Sequence, residues 1–278
     1  MTIIDTHQHF WRYNPEQFEW INDDMTTIRR DFLPEDLQPV LSANAVAACI
    51  AVQANQTGQE TDWLLQLANE HAWIAGVVGW IDLRSPQLEN RLQQYAQFPK
   101  LKGFRHILQS EEPAFMLQPS FVHGISKLHT YGFAYDVLIF PQHLSAALQL
   151  VQQFPQQRFV IDHAAKPYIK HGLLGEWAAG IKALAAQPNV YCKISGMVTE
   201  ANWRQWTPAD IYPYIDTVVQ AFGMHRCMFG SDWPVCLVAA DYPKWLHTVQ
   251  AYFAGFTAEE QAAVFYRNAL DFYQIETL

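Results

Sequence analysis

Apolar residues in this chain fall into short, nearly unbroken runs, separated by longer stretches in which they recur every three or four positions. The runs are Ile3–Thr6, Val46–Val52, Ile74–Ile81, Leu101–His106, Phe133–Ile139, Arg158–Asp162, Val190–Ile194 and Cys227–Gly230. Each is four to eight residues long, as expected of a parallel strand buried on both faces. Between them, stretches such as TDWLLQLANEHA, PQLENRLQQYAQ, PQHLSAALQLVQQF and YPYIDTVVQAFG carry helical spacing. Several are opened by Pro, Asp or Thr, and two are followed by Gly or Pro. Eight strands alternating with helices in 278 residues predict an α/β fold, a (β/α)8 TIM barrel, ahead of a doubly wound sheet.

No internal repeat, low-complexity tract or linker divides the chain, so residues 1–278 read as a single barrel domain. Trp11–Asp36, aromatic and charged with weak periodicity, reads as a long loop after the first strand, over the barrel mouth. Half of the residues are hydrophobic and 16% charged, enough for a large core. Lys and Arg number 18 against 27 Asp and Glu, a net charge of -9 that argues against nucleic acid or an anionic membrane surface as partner. No run approaches the roughly 20 apolar residues of a membrane span, and no basic segment with an apolar stretch opens the chain, so a cytoplasmic location is expected. A homo-oligomer is left open. Cys49, Cys192, Cys227 and Cys236 lack the close pairing of a zinc knuckle or disulfide scaffold and are expected to be reduced core residues.

In a barrel, functional groups gather at the C-terminal ends of the strands. The expected ends are polar here: Asp5, His7 and His9, then Arg105 and His106, Asp162 and His163, Lys193 and Ser195, and Ser231 and Asp232. Residues i and i+2 of a strand share a face, so His7 and His9 point the same way and can share one cation. For a His-x-His pair alone, two hydrogen-bonded core histidines are an equally good reading. His163 and Asp232 on later strands tilt the balance toward a site.

The segments DTHQHFW (5–11), GFRH (103–106), DHAAKP (162–167), KISG (193–196) and FGSDWPV (229–235) occur in order over almost the whole chain. In them the chain resembles the amidohydrolase superfamily, and most its sugar-lactonase branch. The resemblance implies a barrel that hydrolyses a cyclic ester. It makes His7 and His9 the strand-1 pair, His163 the strand-6 histidine and Asp232 the strand-8 carboxylate that activates water. Superfamily members with two metals usually carry a histidine on strand 5 and a bridging lysine or glutamate on strand 4. This chain has Tyr135 and Asp136 on strand 5 and Arg105 and His106 on strand 4. The implied ligands are then His7, His9, His163 and Asp232, for one divalent ion, zinc first, or for none. In the metal-free alternative, histidines and arginine polarise the carbonyl directly.

Opening a lactone needs a base for water, an electrophile facing the carbonyl oxygen and a proton donor for the departing alkoxide. Asp232 is the expected base, made more basic by partial desolvation beside Trp233 and Pro234. Its bland alternative is a capping or turn aspartate. Asp162 faces away from His163 on a regular strand and is expected either to support site residues from behind or to be structural. Arg105 and His106 cannot both point inward. Arg105 suits a substrate oxygen, or an ion pair with Asp136 on the adjacent strand. Lys166 either reaches ring hydroxyls or is a solvated loop charge. The candidate substrate contacts are Arg105, His106, Lys166, Trp11 and Trp233, with Trp203 near another strand end, whereas Trp63, Trp177 and Trp245 on expected helices read as packing. The expected partner is a small-molecule sugar lactone. Two alternatives remain: a metal-dependent decarboxylase of an unsaturated carboxylic acid on the same barrel, and a non-catalytic sugar-acid binder, which has no use for a base.

Overall fold

The computed structural model describes residues 1–276; Thr277 and Leu278, the end of the expected domain, lie outside the described residues. All eight apolar runs are parallel strands, hydrogen-bonded in sequence order: β1 (Ile4–Gln8), β2 (Ala48–Val52), β3 (Ile74–Gly79), β4 (Leu101–His106), β5 (Ala134–Val137), β6 (Phe159–Ile161), β7 (Val190–Ile194) and β8 (Cys227–Phe229). A helix follows each in turn: α1 (Pro34–Ala43), α2 (Gly58–Glu70), α3 (Leu88–Tyr95), α4 (Pro119–Leu128), α5 (Leu144–Gln152), α6 (Gly175–Ala185), α7 (Pro208–Phe222) and α8 (Tyr242–Phe253). Two short helices, α9 (Ala258–Ala262) and α10 (Asn268–Tyr273), end the fold. The helices start where capping chemistry allows, as at Thr57, whose hydroxyl accepts from the Glu60 N–H, and Asp241, whose carboxylate accepts from that of Lys244. The result is the (β/α)8 barrel expected from the pattern.

The seam between β1 and β8 is closed by Asp232 N donating to His7 O and His9 N donating to Trp233 O, each at 2.7 Å. Candidate catalytic residues therefore make the backbone bonds that close the barrel mouth. The expected loop Trp11–Asp36 is folded back on itself: Trp11 and Phe32 pair as an antiparallel bridge, and a 3-10 turn spans Asp23–Ile28.

Side chains alternate between the barrel interior and the helix layer. Ala48, Ile50 and Val52 point inward with Val78, Ala134, Val160 and Met228, and Phe272 and Tyr273 of α10 pack against this layer at the N-terminal end. Cys49 and Ala51 point outward into the larger core beneath the helices. All four cysteines are free and buried, as expected. Among the described residues no helix is long and apolar enough to cross a membrane.

Candidate active site

Above the apolar layer the barrel interior turns polar, and β1 reaches it by breaking its own alternation. Its pairing register with β2 shifts between Asp5 and Gln8, a bulge that flips the strand's phase. Ile4 and, past the bulge, His7 and His9 consequently face inward. Asp5, expected on the histidines' face, instead points outward, accepting from Ser231 N at 2.8 Å and the Tyr242 hydroxyl at 3.1 Å. It braces the seam from behind, and burial pushes its carboxyl up to about 6.

β6 supplies two inward groups by a different device. Asp162 continues the strand's alternation into the interior, so the expectation that it turns away from the site is corrected. His163 is brought in beside it because His163, Ala164, Ala165 and Lys166 all have positive φ, between 49° and 58°. A left-handed conformation costs about 1–2 kcal/mol per non-glycine residue, so four in succession persist only because their surroundings hold them. Lys166 N closes the turn on His163 O at 2.8 Å, and Trp177 Nε1 donates to Ala164 O at 2.7 Å. The two central alanines are fully buried and carry the smallest Cβ-bearing side chain. Ala165→Val puts a β-branched side chain into this turn and is expected to cost about 2–3 kcal/mol, read as a melting temperature lower by roughly 5 °C or more. An unchanged melting temperature would show that the turn is not held as described.

The three imidazoles converge on Asp232. Its Oδ1 lies 3.4 Å from His9 Nε2, 3.7 Å from His163 Nε2 and 3.9 Å from His7 Nε2. Burial lowers the pKa of each imidazole, His163 to about 4, so all three are neutral near pH 7. His9 Nδ1 donates to Val52 O at 2.8 Å, which leaves its Nε2 as a lone pair facing the centre. His163 Nδ1 is engaged by the Ser195 hydroxyl at 2.8 Å, and His7 Nδ1 lies 3.3 Å from the Asp162 carboxylate. Such partners orient the opposite nitrogen for ligation. His7 Nε2 and His9 Nε2 are 3.2 Å apart, close to the roughly 3.3 Å edge of a tetrahedron of zinc–nitrogen bonds. His7, His9 and Asp232, whose donor atoms lie within 4.8 Å of one another, thus fit one divalent cation, and His7, Asp162 and His163 form a second such group. Arg105 NH1, 3.1 Å from His7 Nε2, competes with a cation for the same lone pair.

The expected raised basicity of Asp232 is reversed. Burial acts to raise its pKa, but His163, the His9 hydrogen bond and His7 outweigh it and hold the carboxyl below the ordinary range. Asp232 is therefore ionised, and a weaker base than an ordinary carboxylate.

Beneath this centre lies a layer of buried charges joined through Lys193, a residue for which the sequence alone suggests no partner. Lys193 Nζ sits 2.5 Å from Asp136 and 3.0 Å from Asp162, and Arg105 NH1 lies 3.1 Å from Asp162. Burial acts to raise Asp162, but Lys193, His7 and Arg105 hold it well below the carboxylate range. The suggested Arg105–Asp136 pair is not formed: Lys193 takes Asp136, and Arg105 spans Asp162 and Gln53, whose carbonyl and side-chain oxygens accept from its NH2. Tyr135 turns outward against Phe121 and Phe159.

A cleft of about 440 Å³ opens above the centre, within the usual range for a small-ligand site. His9, Arg105, His163, Lys166 and Asp232 line it. His106 does not: it points into the helix layer, stacked on Phe115 and 3.1 Å from Glu111. Trp11 and Trp233 are also outside it, buried around Phe32. The aromatic walls are Trp203 and Trp20, the latter brought in by the folded-back loop. Glu200 also lines the cleft, 3.6 Å from Lys166.

Glu60, on α2, anchors one side of the cleft from behind. Its carboxylate accepts from Ala54 N at 3.0 Å and Asn55 N at 2.7 Å, fixing the turn whose Val52 and Gln53 carbonyls hold His9 and Arg105. Burial pushes its carboxyl from 4.5 up to about 7. Between those values the folded chain keeps a proton that the unfolded chain has lost, so this group's contribution to stability falls as pH rises through that window. Glu60→Gln removes this titration, and the variant's thermal stability is expected to decline less steeply than that of the wild type over the same window. Parallel melting curves against pH would refute this.

Imidazoles and one ionised carboxylate gathered at a barrel mouth are the apparatus of a hydrolytic enzyme that activates water. Residues 4–275 match the family model described as Amidohydrolase, and the chain belongs to this family. It is 42% identical over 278 residues to an L-fucono-1,5-lactonase of Burkholderia multivorans, covering 96% of this chain and 92% of that protein. An L-fucono-1,5-lactonase of Burkholderia ambifaria is 37% identical, covering 98% and 96%. A crystal structure of an amidohydrolase from Burkholderia multivorans with bound zinc superposes with a TM-score of 0.96 at 40% identity, covering 99% of this chain and 100% of that one.

Proposed function

We propose that the protein is a lactonase that opens the ring of a sugar-derived lactone of the L-fucono-1,5-lactone type. The observation that carries the substrate class is the 42% identity to a lactonase across nearly the whole chain. The site supplies the chemistry: Asp232 removes a proton from water as its oxygen adds to the lactone carbonyl. Arg105 lines the cleft with its guanidinium held by Asp162 and Gln53, and Trp20 and Trp203 flank the apolar side of the ring. His7, His9 and Asp232, whose ligand atoms lie within 4.8 Å of one another, with His163 Nε2 3.7 Å from Asp232, would hold a single zinc ion, which when bound supplies a Lewis acid for the carbonyl oxygen and acidifies water. The decarboxylase alternative is weaker, because relatives sharing 37–42% identity are lactonases.

The test is a panel of aldonolactones in weak buffer with a pH indicator, run with and without chelator, since ring opening releases a proton. L-fucono-1,5-lactone is expected to be opened fastest. Failure to open any aldonolactone, with carbon dioxide released from unsaturated carboxylic acids, would replace this reading with the decarboxylase.

A further inference from the structure

We propose that Lys166 is the acid that protonates the departing ring oxygen, with Glu200 as the positioning carboxylate that holds its ammonium. The assignment rests on the lactonase reading above. A sugar alkoxide is a strong base and leaves slowly unless a proton meets it, so the cleft must present a donor distinct from the base. The charged or titratable groups of the cleft wall among the described residues are His9, Arg105, His163, Lys166, Glu200 and Asp232. His9 and His163 have their Nδ1 atoms engaged by Val52 O and the Ser195 hydroxyl, and turn Nε2 to the shared centre. Arg105 does not release a proton in proteins. Asp232 is the proton acceptor of the first step. Lys166 and its partner Glu200 remain; burial raises the Glu200 carboxyl, and of the two Lys166, with three N–H donors, is assigned the donor role.

The fold delivers Lys166 to that task by the left-handed turn. It stands three residues after His163, one turn of a 3-10 spiral, so both side chains leave the same face toward the cleft. The ammonium lies 3.6 Å from the Glu200 carboxylate, each side chain only 18% exposed, and 5.5 Å from the centre of the Phe140 ring. A solvated loop charge needs neither the strained backbone nor the half-buried partner.

In the step itself, the water oxygen bonds to the carbonyl carbon while Asp232 takes one of its protons. As the carbonyl re-forms, the bond from that carbon to the ring oxygen breaks and its electron pair stays on the ring oxygen. A proton from Lys166 Nζ completes the hydroxyl. The new carboxylic acid ionises; of its proton and the one on Asp232, one restores Lys166 and the other passes to solvent.

The test compares wild type, Lys166→Met and Lys166→Arg on the aldonolactone that the wild type opens fastest. Both variants are expected to lose about a hundredfold in kcat with KM changed less than threefold, because arginine keeps the charge but holds its proton. Dihydrocoumarin, whose phenolate leaves with far less help, should lose less than fivefold. Where the wild type leaves it intact, the split between kcat and KM decides alone. A loss carried by KM, full recovery in Lys166→Arg, or equal losses on both lactones would overturn the assignment and leave Lys166 a binding charge. Wild-type inactivity on every aldonolactone would instead overturn the lactonase reading, and this one with it.

Discussion

Asp232→Asn is expected to lower kcat by on the order of a thousandfold or more, with the melting temperature moved by only a few degrees. An amide cannot take a proton from water at neutral pH, whereas the shape of the side chain is preserved. Asparagine is among the few non-glycine residues that tolerate the φ of 59° found at Asp232. The backbone bond that Asp232 donates to His7 O, and the one that Cys236 N donates to Asp232 O at 2.8 Å, do not involve the carboxylate, so the seam survives. Nor does the substitution charge the imidazoles: the carboxylate acts to raise His163 and His9, and losing it keeps them neutral. Steady-state rates and melting curves on the same preparations check both halves. Activity within tenfold of wild type would remove Asp232 as the base.

The sequence was most legible where the backbone stays regular. On β4 and β5, simple alternation separates Arg105 from His106 and Asp136 from Tyr135, and one member of each pair is inward as the period of two requires. The same rule failed at two places where the backbone departs from a strand. In β1 the bulge turns Asp5 outward while keeping both histidines in, and after β6 the left-handed turn brings in His163 directly beside an already inward Asp162. Neither departure has a local signature such as glycine: the turn is built from His-Ala-Ala-Lys. Aromatic assignments failed for a different reason. Trp11 and Trp233 adjoin site residues in the chain, yet buried aromatics draw them into a cluster with Phe10 and Phe32, whereas Trp20 reaches the cleft through a loop path that no periodicity encodes. The Lys193 pairs with Asp136 and Asp162 join strands more than 30 residues apart in sequence. An isolated buried lysine in KISG could not reveal which carboxylates neutralise it.

His9→Asn separates a working centre from a merely polar strand start. His7 also abuts Asp162 and Lys193, so its removal disturbs the buried charge layer, while His9 has Val52 O as its hydrogen-bond partner outside the centre. The substitution should therefore cost on the order of 1 kcal/mol in stability. If the pair only begins a strand, activity falls no further than the folded fraction does. If His9 Nε2, 3.4 Å from Asp232 and 3.2 Å from His7 Nε2, belongs to the electrophile, turnover drops roughly a hundredfold or more in a folded barrel. Wild-type protein is expected to carry at most about one equivalent of divalent metal, because the imidazoles and the Asp232 carboxylate cluster around a single centre, and His9→Asn should carry less. His7→Asn combined with His9→Asn should be scarcely slower than His9→Asn, since either change already breaks the unit. Elemental analysis and kinetics on the same samples decide the matter. Two tightly held metals per chain would overturn the single-ion site, and near-normal turnover by a well-folded His9→Asn variant would reduce the pair to hydrogen-bonded core histidines.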